Sequence, residues 1–237
     1  MKPKLVVAIV LACLFTIVAI ISGINHFPKI TIGHAQSQDP ARQSFTFEGM
    51  AQRALARGSN TVKLETTVEG IDVASLDDAL AKYSVIVVRP TYAQSFRAGD
   101  LSIETWYKLR VIETISQKPY VPPCDSCGSP SNPLSGVPAP AADEFLSYET
   151  GGTLIVNGVT FVETAGLPLL FASNTYVLFS NINPANKVAT VVGGGFKLSA
   201  DNSTLVPLDI GDSPSCIVTG VSSRFGNSLN QLRAALN

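Results

Sequence analysis

The chain has 237 residues, 46% of them apolar and 15% charged, with 18 Gly and 15 Pro, which excludes a disordered polyelectrolyte, a coiled coil and a collagen repeat. The formal charge of −1 hides an asymmetry: Lys2, Lys4 and Lys29 precede residue 36, leaving 14 basic against 18 acidic residues in the remainder. A slightly acidic domain binds phosphate poorly, so no nucleic acid is expected as a partner.

Residues 5–24, LVVAIVLACLFTIVAIISGI, form an unbroken apolar run that as a helix spans ~30 Å, the thickness of a bilayer's hydrocarbon core. Residues 1–24 are therefore expected to be one transmembrane anchor with the lipid bilayer as its partner. Lys2 and Lys4 place the N-terminus in the cytoplasm and the domain outside. The alternative is a signal peptide cleaved after Ala35, where Gly33 and Ala35 offer small residues, releasing a periplasmic or secreted protein. Both readings export the domain.

Residues 25–60 are polar and small enough to suggest a stalk or linker, with a short helix at 50–57 placing Ala51, Ala54 and Leu55 on one side. From Thr61 the pattern changes to strands: TVKLETTV, then SVIVVRP at 84–90, separated by a helical turn over 75–82 that Ser75 and Asp78 would cap. In SIETWYKLRVIETI (102–115) Ile103, Thr105, Tyr107, Leu109 and Val111 alternate with Glu104, Trp106, Lys108, Arg110 and Ile112, the period of a strand with one buried face. Trp106, on the opposite face, is expected to belong to a second small cluster.

Residues 117–143, QKPYVPPCDSCGSPSNPLSGVPAPAAD, carry seven prolines and no apolar periodicity, which predicts a surface excursion. Its apolar residues Tyr120, Val121, Leu134 and Val137 need cover, so they mark a possible partner-contact loop. TLIVNGVTFV at 153–162 predicts a hairpin about Asn157-Gly158. Short strands follow at 169–171, 176–181, 187–192 and 195–199. Gly193, Gly194 and Gly195 lack the helix and Lys of a phosphate loop and predict a bulge or corner. Phe225, Leu229, Leu232 and Leu236 predict one amphipathic helix over 222–237. The fold class expected for 61–237 is mainly β, an antiparallel barrel or sandwich closed by a C-terminal amphipathic helix.

DALAKYSVIVVRPTY (78–92), IETWYKLRVIETI (103–115), GGTLIV (151–156), LPLLFASNTYVLFS (167–180) and VVGGGFKL (191–198) together resemble exported bacterial β domains similar to the OB-like barrels of netrin and tissue-inhibitor-of-metalloprotease modules. The resemblance implies an OB-like barrel. It supplies no catalytic residues, and the chain lacks the mature N-terminal Cys through which such inhibitors chelate zinc.

The two histidines, His26 and His34, precede the domain, which leaves a Ser-His-Asp triad or a His-based zinc site without a partner there. Cys124, Cys127 and Cys216 are the reactive side chains. Outside the cytoplasm they suggest a disulfide, either within CDSC or from one of its cysteines to Cys216, while redox chemistry and a metal site remain alternatives. Gly128 after Cys127 disfavours covalent haem. Glu104, Glu113, Glu144, Glu149 and Glu163 are the candidate acid–base carboxylates. No catalytic residue, metal or cofactor is expected. The function expected is a membrane-anchored extracytoplasmic binding or envelope-assembly module, with an envelope protein as a possible partner. The alternatives are a thiol-active oxidoreductase using Cys124 and Cys127, and a carboxylate-dependent hydrolase.

Overall fold

The computed structural model describes residues 45–65, 73–122, 133–164, 170–208 and 215–237. The apolar run at 5–24, the leader site at Ala35, and Cys124 and Cys127 lie outside the described residues. Among the described residues no helix is long and apolar enough to cross a membrane.

The chain is mainly β, with antiparallel sheets and a helical C-terminus. In order, the elements are α1 (Phe47–Ala56), β1 (Thr61–Glu65), α2 (Leu76–Lys82), β2 (Ser84–Ala98), β3 (Ser102–Ser116), β4 (Glu144–Thr150), β5 (Gly152–Val156), β6 (Val159–Thr164), β7 (Tyr176–Asn183), β8 (Val188–Leu198), β9 (Leu205–Pro207), α3 (Cys216–Phe225) and α4 (Leu229–Leu236).

The larger sheet runs β4-β3-β2-β7-β8-β9, and β4 also pairs with β8. That last pairing is parallel, through Leu146↔Val188 and Ser147↔Ala189. Five strands, β4, β3, β2, β7 and β8, thereby close a hydrogen-bonded ring. Inside it pack Ile86, Val88, Tyr107, Leu109, Phe145, Tyr176, Leu178 and Ala189. The alternate residues of β2, β7 and β8 face outward: Val85, Val87, Val177, Phe179 and Phe196 meet α2, α3 and α4. Because these strands are covered on both faces, SVIVV reads as a continuous apolar run rather than an alternation.

Local chemistry sets the boundaries. The Ser75 hydroxyl accepts the Asp78 amide at 3.1 Å, capping α2 as its spacing predicts. The β5–β6 turn holds Asn157 and Gly158 at φ 50° and 78°, the positive pair that a two-residue hairpin requires. Gly193 adopts φ +60°, and an added Cβ there would sit 2.6 Å from Ile217 Cδ1, so the glycine lets α3 approach the strand. Opposite it the β7–β8 register slips between Leu178 and Ser180, which is the bulge expected of the glycine run.

Besides joining the strands expected at 187–192 and 195–199 into the single β8, the structure departs from the sequence expectations in four places. First, α1 begins at Phe47, and Phe47 and Ala51 are fully buried with Ile103, Val159 and Phe161, so residues 47–60 belong to the folded body rather than to a stalk. Thr46 opens the helix by accepting the Gly49 amide at 3.1 Å, and the Phe47 ring stands edge-on to Phe161, with centroids 5.0 Å apart. Second, the sheets are not wholly antiparallel: besides β4–β8, β1 pairs with β6 in parallel in a three-stranded sheet β1-β6-β5. Third, the C-terminal helix is two helices. Gly226 and Asn227, at φ 55° and 57°, terminate α3, and the Ser228 hydroxyl accepts the Gln231 amide to start α4. All four residues that predicted one helix still meet or approach the core, because both helices lie on it. Fourth, of the strand expected at 169–171 the described residues Leu170 and Phe171 lie in a connection instead, where Leu170 is buried.

Phe47→Ala tests the integration of α1. Emptying a fully buried aromatic site costs about 3–5 kcal/mol, and denaturant unfolding of the full chain is expected to read a loss of that size. A stalk helix would leave the midpoint unchanged.

Candidate functional site

The outward faces of β3 and β4 near residues 106 and 148 carry the chain's only tryptophan. Trp106 is directly opposite Tyr148 in the β3–β4 register, and their rings stack with centroids 4.8 Å apart at 25°. Phe96 joins them from β2, Leu146 from β4 and Val188 from β8. Trp106 is 0% exposed, and its indole N–H donates to Glu104 Oε2 at 3.0 Å, which provides the partner that a buried indole needs.

The described C-terminal part of the Pro-rich excursion, from residue 133, covers this face. Leu134 and Val137, both half-buried, pack on Trp106, Leu146 and Val188. The Val137 amide donates to the Leu134 carbonyl at 3.1 Å, and Gly136 takes φ +98°. That is the positive φ which the third residue of a type II turn requires, and it brings Leu134 and Val137 onto the same face. The segment is moored at its C-terminal end. There Lys187 Nζ donates to the Ala141 carbonyl at 3.0 Å, and the Ala141 amide donates to Glu144 Oε2 at 3.1 Å. Of the four residues marked as a partner-contact loop, Leu134 and Val137 thus have an intramolecular surface, whereas Tyr120 is half-buried and Val121 is 40% exposed. The Val121 backbone amide and carbonyl bond the side chain of Asn181 at 3.0 and 2.6 Å.

The five candidate carboxylates are scattered rather than paired. Glu113 forms a fork with Arg233 on α4. Glu144, buried, accepts from Thr91 Oγ1 at 2.7 Å and from Ala141, and lies near Lys108 and Arg110. The Thr91 hydroxyl foremost holds its pKa below the ordinary value. Glu163, buried, accepts the Ile103 amide, which fastens the small sheet to the start of β3. Glu104 accepts from Trp106. Glu149 differs from the rest, because its Oε2 is enclosed with no hydrogen-bond partner.

Glu149 follows Ser147 by two residues on β4 and therefore shares its inward face, where Ser147 is paired with Tyr107. The Ser147 and Ser180 hydroxyls are also buried without partners. The Tyr107 hydroxyl accepts the Leu170 amide at 3.3 Å, and burial, with Glu149 adding to the effect, raises its pKa. Burial pushes the Glu149 carboxyl up to about 8, so at neutral pH it is a neutral acid.

Cys216, the first residue of α3, is a free cysteine, half-buried, with its Sγ 2.7 Å from the Val73 carbonyl oxygen. Among the described residues no three of His, Cys, Asp and Glu gather as a metal-binding group. Sequence reasoning placed Trp106 in a satellite cluster but missed Phe96 and Tyr148. The signal that identifies Tyr148 is register, since Trp106↔Tyr148 is a direct cross-strand pair between residues 42 apart in sequence, and such alignment is set by strand pairing rather than by neighbours in the chain. No family model, no curated protein sequence and no solved structure matches this chain.

Glu149 makes stability depend on pH with a definite sign. Its folded pKa, about 8, exceeds its ordinary value of 4.5, so between those limits the unfolded chain has released a proton that the fold still holds, and stability falls as pH rises. Below 4.5 both states are protonated, and above 8 both are ionised, so the effect levels off. Glu149→Gln is expected to flatten that slope and to raise the denaturation midpoint at pH 8 to 9 relative to the wild type. Identical pH profiles would remove Glu149 from the account. Cys216 is expected to react with a maleimide slowly in the native chain and fully after unfolding.

Proposed function

We propose that the chain is a membrane-anchored, extracytoplasmic binding or envelope-assembly module built on an OB-type barrel, with recognition rather than catalysis as its work. The barrel reading is supported by strand order. Taken in chain order as first to fifth, β2, β3, β4, β7 and β8 neighbour one another as 1-2-3-5-4-1, with the 3–5 pair parallel. In barrels of this type the second and third strands carry the recognition face. Here those strands are β3 and β4.

The observation that carries the reading is the stacked Trp106–Tyr148 pair on that face, beside Phe96 and beneath a proline-rich segment of the chain itself. An aromatic surface fitted to a proline-flanked turn of polypeptide is a recognition device with a physical basis, since rigid aromatic area binds a preorganised segment at low entropic cost. Export follows from the 5–24 run and the basic residues before it. The dispersed carboxylates do not favour the hydrolase, and the oxidoreductase reading rests on Cys124 and Cys127, outside the described residues.

Two measurements on the full chain test this. A phosphatase reporter placed after Asn237, which works only outside the cytoplasm, is expected to be active, and the chain is expected to stay with membranes through an alkaline carbonate wash. A photoreactive residue at Phe96 is expected to give a discrete adduct in cells, whereas one at Thr61, on the far sheet, gives none. A dark reporter with the chain in the cytosol overturns the export reading; indistinct or equal labelling from both positions overturns the recognition reading.

A further inference from the structure

We propose that the Phe96–Trp106–Tyr148 face is an exchangeable docking groove, and that its trans occupant is the 133–140 segment of a second copy of this chain. The inference rests on the recognition reading above and names the partner of that face.

The segment PLSGVPAP already sits on the groove in cis, so its fit is demonstrated by the chain itself. Its hold is light. Among the described residues its backbone bond is the internal Leu134–Val137 turn, and it meets the strands through Leu134, Gly136 and Val137. Pro133, Pro138 and Pro140 have no amide to donate, so the segment cannot be recruited as an added strand and stays a side-chain ligand. Gly136 lies against Phe96, where an added Cβ would meet Cε1 at 3.4 Å, and its φ of +98° fixes the turn. No charged residue lies between 133 and 140, so one copy's segment meets no electrostatic penalty in another's groove. Exchange makes an identical contact, leaving local concentration to decide between cis and trans. Confining copies to a membrane plane raises that concentration.

Trp106, the only tryptophan, reports the groove directly. The acceptor is the full chain in detergent micelles carrying Leu134→Ser and Val137→Ser, which release the cover. Its emission is expected to shift to the red, with severalfold greater acrylamide quenching and a retained unfolding transition. Adding a ten-residue peptide of sequence PLSGVPAPAA is expected to return the emission saturably to the blue, while a scrambled peptide does not. A Trp106→Phe full chain, optically silent but with its own segment intact, is expected to do the same when co-reconstituted with the acceptor in vesicles. If the double variant does not fold, Gly136→Ala, which strains the turn and leaves both apolar side chains, takes its place. A red-shifted acceptor that neither peptide nor second chain restores overturns the proposal, as does equal restoration by the scrambled peptide. Restoration by the peptide but not by the second chain also overturns it, leaving the groove to a different proline-rich partner. None of these results touches the reporter and wash experiments that decide export.

Discussion

Everything in this fold follows from one short contact, the parallel pairing of β4 with β8 through Leu146↔Val188 and Ser147↔Ala189. Without it the larger sheet is open and its β4 edge exposes backbone groups. With it, five strands enclose Tyr107, Leu109, Phe145, Tyr176 and Leu178 on one side and present a second set of side chains outward. Closure therefore creates a demand, because each outward apolar face must find a cover of its own. Three covers meet it: α2, α3 and α4 over β2, β7 and β8; the α1-bearing small sheet at the start of β3; and the 133–140 segment over β3 and β4.

Elements governed by local chemistry were legible in the sequence. The Ser75 cap, the Asn157-Gly158 turn, the alternation of β3 and the glycine bulge near 193 were all expected and all present. What escaped depends on which distant strands meet. Nothing near Phe47 signals that Phe161 lies 5.0 Å from its ring, so a polar neighbourhood reads as a linker. The break at Gly226-Asn227 is local, yet the apolar spacing across it holds because α3 and α4 pack on the same core. Of the site, Trp106, Leu134 and Val137 were each visible singly. Their convergence was not, because it requires the register of β3 with β4 and the return of the excursion across it.

The ring's interior is less apolar than a purely structural core requires. Tyr107 and Tyr176 bring hydroxyls that bond the amides of Leu170 and Phe171, at 3.3 and 2.8 Å, so the buried phenols secure the connection leading into β7. Ser147, Ser180 and Glu149 have no such compensation. An unpartnered buried hydroxyl or carboxyl costs on the order of 1–3 kcal/mol, and the carboxyl limits its penalty by keeping its proton. The same fold contains the opposite solution in Glu144, whose charge is kept by Thr91, Ala141 and two nearby cations. The two glutamates of one strand are thus driven in opposite directions: hydrogen bonds and nearby cations favour the charge of Glu144, while desolvation keeps the proton on Glu149.

The covers differ in strength, and that difference locates the surface able to change. The helical layer inserts Leu76, Ile217, Val221, Phe225, Leu229 and Leu232 into one cluster, and at about 1.5–3 kcal/mol for each fully buried side chain it separates only with global unfolding. The 133–140 segment contributes two half-buried side chains, worth together on the order of 2 kcal/mol. Proline supports this marginal balance: it stiffens the chain on either side of the turn, which lowers the entropy lost on docking, while denying the segment the ladder bonds that would make docking permanent. The face beneath is aromatic and large, so whatever replaces the segment gains substantial contact area at small net cost. Ring closure therefore imposes a cover on β3 and β4, and among the described residues that cover is held by fewer apolar side chains than the helical layer over β2, β7 and β8.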